Sequence, residues 1–323
     1  MSLQRAFVEP PSVSPTDPAL LFVLNTDASS VGTGTVLAQS QSVQGHTHKA
    51  MGSALFAQPW RELPANNQDS LAFVKSYKPR KENIKHLRIL LHGPAGAAKS
   101  CFINSVDSIL RERSTSRALT DAISGSSFTQ KYKTYKFEKN PGSFYSFVFN
   151  DIMGLEKNRG VHVEDIKLVL KGHVTEGYKF DPEHLLTEDN PGYNSTPTVE
   201  DRVHVLVSVV PASSVSLITE DIVRKMRDIR LAASEMGIPQ LAILTKVDEA
   251  CPQAKANIKN IYKSKYLKEQ VEKFHMLLGI PLNCIFLVKN YDKEFKTDDD
   301  ITAPIIFALQ QMIYLGEDYL NSL

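Results

Sequence analysis

Cysteine is scarce in this chain: three in 323 residues, Cys101, Cys251 and Cys284, odd in number and widely spaced. That pattern excludes a disulfide framework and a cysteine-built zinc site, and it fits a reducing compartment. An excess of one charge is equally lacking. Thirty-seven Lys and Arg stand against 36 Asp and Glu, and a net charge of +1 gives no strong field toward nucleic acid or membrane. Long apolar runs are missing too. The longest, residues 19–24 and 203–210, fall far short of the roughly 20 residues that cross a bilayer, so no transmembrane segment is expected. The opening Met1-Ser-Leu-Gln-Arg-Ala-Phe-Val-Glu-Pro has no apolar core of a secretory signal, and a cytoplasmic location follows as the expectation. The nine histidines do not cluster at ligand spacing, so no protein-built metal site is expected.

What is there is 42% apolar, enough for one large α/β domain or for two domains of which one is small. Residues 1–75 carry few charges and much Ser, Gln, Pro and Ala, and are expected to form a poorly ordered leader. Within them Leu24-Asn-Thr-Asp-Ala-Ser-Ser-Val-Gly-Thr-Gly-Thr-Val-Leu-Ala-Gln39 resembles the opening of the ribonuclease H domain of retrotransposon polyproteins. The resemblance implies a metal-binding role for Asp27. Two-metal nuclease chemistry needs several converging carboxylates, and after Asp27 this segment holds Glu62 and Asp69 alone, so nuclease activity is not expected. Residues 76–86 are basic and read as a solvated linker into a domain spanning 76–323.

That domain is organised around residues 86–105. A short apolar strand at 87–91 runs into Gly93-Pro-Ala-Gly-Ala-Ala-Lys99-Ser100, and Phe102, Ile103, Val106, Ile109 and Leu110 then recur at helical spacing. The turn is close to the G-x-x-x-x-G-K-[ST] phosphate loop, whose backbone N–H groups wrap phosphates at a helix N-terminus. Gly93, Gly96, Ala97, Ala98, Lys99, Ser100 and Cys101 are the expected phosphate-binding residues. Lys99 is expected to reach the β and γ phosphates, and the Ser100 hydroxyl to ligate Mg²⁺. Ala98 stands where the pattern has glycine. If the position needs a positive φ, its methyl group costs about 1–2 kcal/mol.

Strands and helices alternate downstream, as in a parallel sheet covered on both faces. Strands are expected at 132–137, 143–150, 203–210, 241–244 and 284–288, with a short helix at 164–170. Residues 219–236 carry a complete helix signal. Thr219 is the cap, Glu220 and Asp221 lie in the first turn, Ile222, Met226, Ile229 and Ala233 form the stripe, and Gly237 and Pro239 stop it. Ile305, Leu309, Met312 and Ile313 mark a last helix, and residues 172–201 read as a long loop.

Two further motifs follow the phosphate loop in order. Asp151-Ile-Met-Gly154 ends the third strand, placing Asp151 near Mg²⁺ through water and offering the Gly154 N–H to a γ-phosphate. Leu241-Ala-Ile-Leu-Thr-Lys-Val-Asp248 is an apolar strand entering [NT]-K-x-D. Asp248 can accept from the N1–H and the exocyclic amine of guanine, a donor pair that adenine lacks. Thr245 and Lys246 complete that motif, with the Lys246 stem over the base, and Lys289 with Asn290 is a weaker candidate for supporting it. Thr129 is the first candidate for the switch threonine on Mg²⁺, with Thr120 and Thr134 behind it. Guanine nucleotide and Mg²⁺ are the cofactors expected. The order Lys-Val-Asp after a strand, and the lack of an acceptor-binding lid, disfavour an ATP-dependent kinase.

The stretches at 90–106, 151–156, 165–173, 177–182 and 244–248, with Pro59-Trp-Arg-Glu62, together resemble the interferon-induced protein 44 family. The resemblance implies a Ras-like and septin-like G domain in a cytosolic, interferon-induced protein of the antiviral and innate immune response. Many members carry an additional N-terminal domain, in place of which this chain has the retroelement-like leader. Hydrolysis would rest on Lys99 and Thr129, yet Leu155 and Glu156 stand where many small GTPases have a water-positioning glutamine. Arg117 and Arg159 could act as arginine fingers, in cis or across a dimer, but they read better as solvated switch residues. The readings in play are a slow GTPase controlling assembly or partner binding, for example through a G-domain dimer, and a scaffold without turnover. Replacing Asp248 by Asn is expected to shift preference from guanosine to xanthosine nucleotides, read by competition binding; an unchanged preference contradicts the guanine assignment.

Overall fold

In a computed structural model that describes residues 54–64, 67–116, 118, 130–157 and 160–323, helices and strands alternate along the chain. The elements are α1 (Asn67–Ser76), β1 (Leu87–His92), α2 (Lys99–Arg111), β2 (Lys133–Asn140), β3 (Ser143–Asp151), α3 (Val163–Lys171), β4 (Val205–Pro211) and α4 (Glu220–Glu235). They continue with β5 (Gln240–Thr245), the short α5 (Val247–Ala250) and α6 (Pro252–Ala256), α7 (Lys265–Leu278), β6 (Ile285–Leu287) and α8 (Asp299–Ser322). The strands form a six-stranded sheet in the order β2-β3-β1-β4-β5-β6. β2 and β3 pair antiparallel, and the other four neighbouring pairs are parallel.

Alternation along the central strands divides the core between two faces. Leu87, Ile89 and Leu91 of β1, Val205, Val207 and Val209 of β4, and Leu241 and Ile243 of β5 join Phe102, Ile103 and Val106 of α2 and Ile305, Leu309 and Ile313 of α8. Leu90, Leu206, Val210, Ala242 and Leu244 belong to the opposite cluster, with Ile166 and Val169 of α3, Met226 and Ile229 of α4, and Phe274 of α7. Strands buried on both faces read as continuous apolar runs, which is why β4 and β5 are so legible. The chain leaves β1 for one side of the sheet and leaves β4 for the other. The crevice at the C-terminal ends of these two neighbours is therefore the topological switch point, where ligands bind in open α/β sheets.

The boundary expected after residue 75 does not coincide with the structure, in which Met51–Leu323 forms one compact unit. The reason is packing around α1 and the segment before it. Ser70 Oγ donates to Gln310 Oε1 at 3.0 Å, and Phe73 packs on Tyr314, so α1 lies along α8. Residues 76–86 are likewise tied down rather than a free linker: Tyr77 OH donates to Glu317 at 2.7 Å and Ile84 is buried. Earlier still, the Arg61 guanidinium lies 5.3 Å from the rings of Trp60 and Tyr262 and 5.6 Å from that of Phe286, and it donates to the carbonyls of Leu282 and Ile285. It thereby covers β6 at the edge of the sheet. The hairpin around Asp27 lies outside the described residues. The long loop at 172–198 has no helix or strand of its own, but Gly177 N–H donates to Tyr132 O and Phe180 N–H to Gln130 O, extending the sheet edge beside β2. Arg61→Ala removes three ring contacts and two charged hydrogen bonds at once, and is expected to destabilise the fold by about 3 kcal/mol. A urea melt checks this, and a loss below 1 kcal/mol would show that the segment adds little.

Candidate nucleotide site

The loop after β1 is shaped by positions that only certain residues fill easily. Gly93 has φ +148°, and a Cβ there would stand 2.0 Å from the Val209 carbonyl oxygen of β4, so glycine alone fits. Gly96 has φ +72° and faces open space. Ala98 is left-handed, φ 65° and ψ 32°, directly before α2 starts at Lys99. The strain foreseen for the alanine is thus present in the backbone.

The loop's carbonyls are held from outside. Lys99 is buried and its Nζ donates to the carbonyls of Gly93 and Pro94, at 3.2 Å each. Burial lowers its pKa, opposed by the Asp151 and Glu156 carboxylates. Thr245 Oγ1, at the end of β5, donates to Ala97 O at 2.9 Å. Asn290 Nδ2 donates to Ala98 O at 3.4 Å, and Ser105 of α2 joins the same loop through Tyr291 N–H at 2.9 Å. Ser100 Oγ donates to Asp151 Oδ2 at 2.7 Å, which brings the first and second motifs together. All three motifs therefore meet at the C-terminal end of the sheet.

The remaining candidates are distributed as follows. Cys101 sits in the first turn of α2; burial pushes its thiol pKa up, against the pull of the neighbouring Lys246 charge. Lys246 is left-handed at φ 55°, which swings the chain into α5 and sets Asp248, half-buried, in its first turn. Gly154 is packed so closely that a Cβ would stand 2.7 Å from the backbone of Ala95. Lys289 Nζ is paired with Glu294 at 2.7 Å, so its side chain is engaged within its own loop, and Asn290 is the residue that reaches the phosphate loop. Thr134 is removed from the switch candidates, since its hydroxyl accepts from Asn150 Nδ2 at 2.8 Å and from Arg88 on the sheet. Thr120, Thr129, Arg117 and Arg159 lie outside the described residues. Sequence reasoning missed Lys225 of α4, whose Nζ donates to the carbonyls of Glu156 at 2.6 Å and Lys157 at 3.2 Å. No local pattern signals a bond across nearly 70 residues.

The donor set suits a magnesium–nucleotide complex. A serine hydroxyl and a buried carboxylate in contact, beside a glycine-shaped cradle and a buried lysine, are hard-oxygen and anion-binding chemistry. Among the described residues no group of three or more His, Cys, Asp or Glu stands ready for a metal.

The sheet order with its antiparallel β2 edge, the phosphate loop at the switch point and the Thr-Lys-x-Asp strand exit define a P-loop domain of the Ras-like G class. The chain is similar to "Interferon-induced protein 44" of Mus musculus, 32% identical over 264 residues, covering 81% of this chain and 62% of that protein. It is 31% identical over 257 residues to "Interferon-induced protein 44-like" of Homo sapiens, 78% of this chain and 56% of that one. The resemblance to this family seen in the sequence is borne out over about four-fifths of the chain. The chain spans less than two thirds of the length of these relatives. Residues 1–90 match the family described as "RNase H-like domain found in reverse transcriptase", well beyond the stretch at 24–39 that carried that resemblance. The end of that match falls here on α1 and β1. Among solved structures, Toc33 from Arabidopsis thaliana in complex with GDP and Mg²⁺ aligns with a TM-score of 0.44 and 14% identity, over 79% of this chain and 93% of that chain. A probable GTP-binding protein engB aligns with a TM-score of 0.39 and 13% identity, over 72% and 98%. Likenesses this distant add nothing to what the topology itself says.

Two predictions come from the site. Ala98→Gly relieves the left-handed alanine, and the gain is expected to be up to about 1 kcal/mol once the freer unfolded chain is counted. Thermal unfolding reads it, and a lower melting temperature contradicts the strain. The second concerns pH. His92, wholly buried beside the loop with Ser208 Oγ 2.8 Å from its Nε2, is lowered to about 3 by burial and the Lys99 charge. His204 is lowered to about 4, chiefly by burial; its Nδ1 accepts from Arg88 N–H and its Nε2–H donates to Val199 O, which requires the neutral ring. In the unfolded chain both rings titrate near 6.5. The unfolded state thus takes up two more protons than the native one as pH falls below 6.5. Stability is full above that pH and should fall by about 2 kcal/mol per pH unit around pH 5.5. His204→Gln should roughly halve that slope in denaturant melts; an unchanged slope contradicts its assignment.

Proposed function

We infer that this chain is a guanine-nucleotide-binding protein that takes GDP or GTP with Mg²⁺ at the switch point of its sheet. The observation that carries this reading is the bond from Thr245 to the Ala97 carbonyl, which fixes the base-reading strand exit against the phosphate loop. In this reading the N–H groups of residues 96–101 take the phosphates, with the positive end of α2 behind them. Lys99 gives up its two loop carbonyls to reach phosphate oxygens. Ser100, Asp151 and Thr129 hold Mg²⁺, which neutralises phosphate charge when bound. Asp248 selects guanine through paired acceptors, Lys246 covers the base, and Lys289 lies at the edge of the base loop.

The similarity to relatives named interferon-induced protein 44 supports an interferon-induced setting for this activity; a cytoplasmic, antiviral role is proposed along with it. Turnover is proposed to be slow, with nucleotide occupancy controlling assembly, such as a G-domain dimer, or partner binding. One observation favours the second reading, a scaffold without turnover: Leu155, at the position where many small GTPases have a water-positioning glutamine, is 1% exposed within the core.

Calorimetric titration of the full chain with GDP, GTP and ATP in the presence of Mg²⁺ tests the inference. Saturable binding of the guanine nucleotides alone, lost in Lys99→Ala, is expected. Equal binding of ATP removes the guanine assignment, and no binding of any nucleotide leaves a fold without its ligand.

A further inference from the structure

We propose that the D-x-x-G segment is held in one position whatever the nucleotide, so that GDP and GTP bind with similar affinity, and that Leu155 and Lys225 are the residues that set this. The proposal rests on the guanine-nucleotide reading above. A segment that reports a γ-phosphate must be free to take two arrangements, one of which the triphosphate stabilises.

Here the segment is fastened by its backbone, by a side chain and from a neighbouring helix. Leu155 N–H donates to Gly93 O at 3.0 Å and Ala95 N–H donates to Leu155 O at 3.3 Å, a parallel bridge between this segment and the phosphate loop. The Leu155 side chain is buried in the core cluster that includes Ile152, Val161, Val215 and Val223. From α4, Lys225 Nζ spans the carbonyls of Glu156 and Lys157. Gly160 then turns the chain back so tightly that a Cβ there would stand 2.3 Å from Glu156 N. Carrying residues 154–157 to a new place breaks the bridge, exposes a leucine and strips the lysine of both acceptors together. A ligand shifts an equilibrium only by its differential affinity for two states, and a second state is disfavoured here on every count.

The test uses the full chain with Mg²⁺ and two probes, GDP and the non-hydrolysable GTP analogue GMPPNP, titrated by calorimetry. Wild-type dissociation constants are expected within fivefold of each other, with equal amide exchange at residues 152–157 in the two complexes. Lys225→Met is expected to shift the ratio by threefold or more toward the triphosphate, and Lys225→Arg to restore it. Leu155→Gln should shift it the same way; should that core change prevent folding, the Lys225 pair decides. A wild-type ratio above fivefold, or a Lys225→Met ratio equal to wild type, overturns the proposal. A chain that binds neither probe instead overturns the guanine reading, and the proposal falls with it; no ratio can then be measured, so the two failures are distinct.

Discussion

The site depends on where the carbonyl groups of the phosphate loop go. A loop that presents N–H groups to an anion must place its carbonyls elsewhere, and each of those needs a partner once water is excluded. Gly93 O takes Leu155 N–H and Lys99 Nζ, Pro94 O takes Lys99 Nζ, Ala97 O takes Thr245 Oγ1, and Ala98 O takes Asn290 Nδ2. The partners come from the D-x-x-G segment, from the end of β5 and from the loop after β6. The loop's shape is therefore a property of the whole C-terminal edge of the sheet. It also explains how a left-handed alanine is tolerated at position 98: the surrounding bonds over-determine a conformation that alanine alone would avoid.

Much of this was legible in the chain because strand exits at the switch point are read locally. The apolar runs that became β1, β3 and β5 carry their motifs at or immediately behind their ends, and α4 has its Thr219 cap and Gly237 stop in register with its stripe. α7 carried a signal that the sequence reading passed over: Leu267, Val271, Phe274 and Leu278 lie on one face between a Ser264 cap and Gly279. α1 had almost none. Only Ser70 and Val74 are buried in it, so its helix is fixed by α8, 240 residues away at the Ser70–Gln310 bond, and not by its own pattern. The same holds for Arg61, whose ring partners include Tyr262 and Phe286, and for Lys225. Lys289 shows the opposite limit. Its position in the base loop was readable, whereas its pairing with Glu294 five residues on depends on how that loop folds.

These constraints bear on what kind of switch the molecule can be. In a protein whose D-x-x-G segment floats, the distinction between triphosphate and diphosphate is available for signalling. With Leu155 in the core and Lys225 clamped on the following carbonyls, the distinction left available is between a loaded and an empty loop. On the proposed reading, loading draws the Lys99 ammonium away from the carbonyls it holds and asks nothing of the segment beyond Gly154. On the same reading, a partner of this protein would respond to occupancy of the loop.

The most direct measurement is a crystal structure of the full chain with GDP and Mg²⁺. The account predicts the diphosphate within the N–H groups of residues 96–101, the guanine edge on the Asp248 carboxylate, Lys99 moved onto phosphate oxygen, and the bond between Thr245 and Ala97 kept. A nucleotide bound elsewhere, or a base that does not meet Asp248, would contradict it.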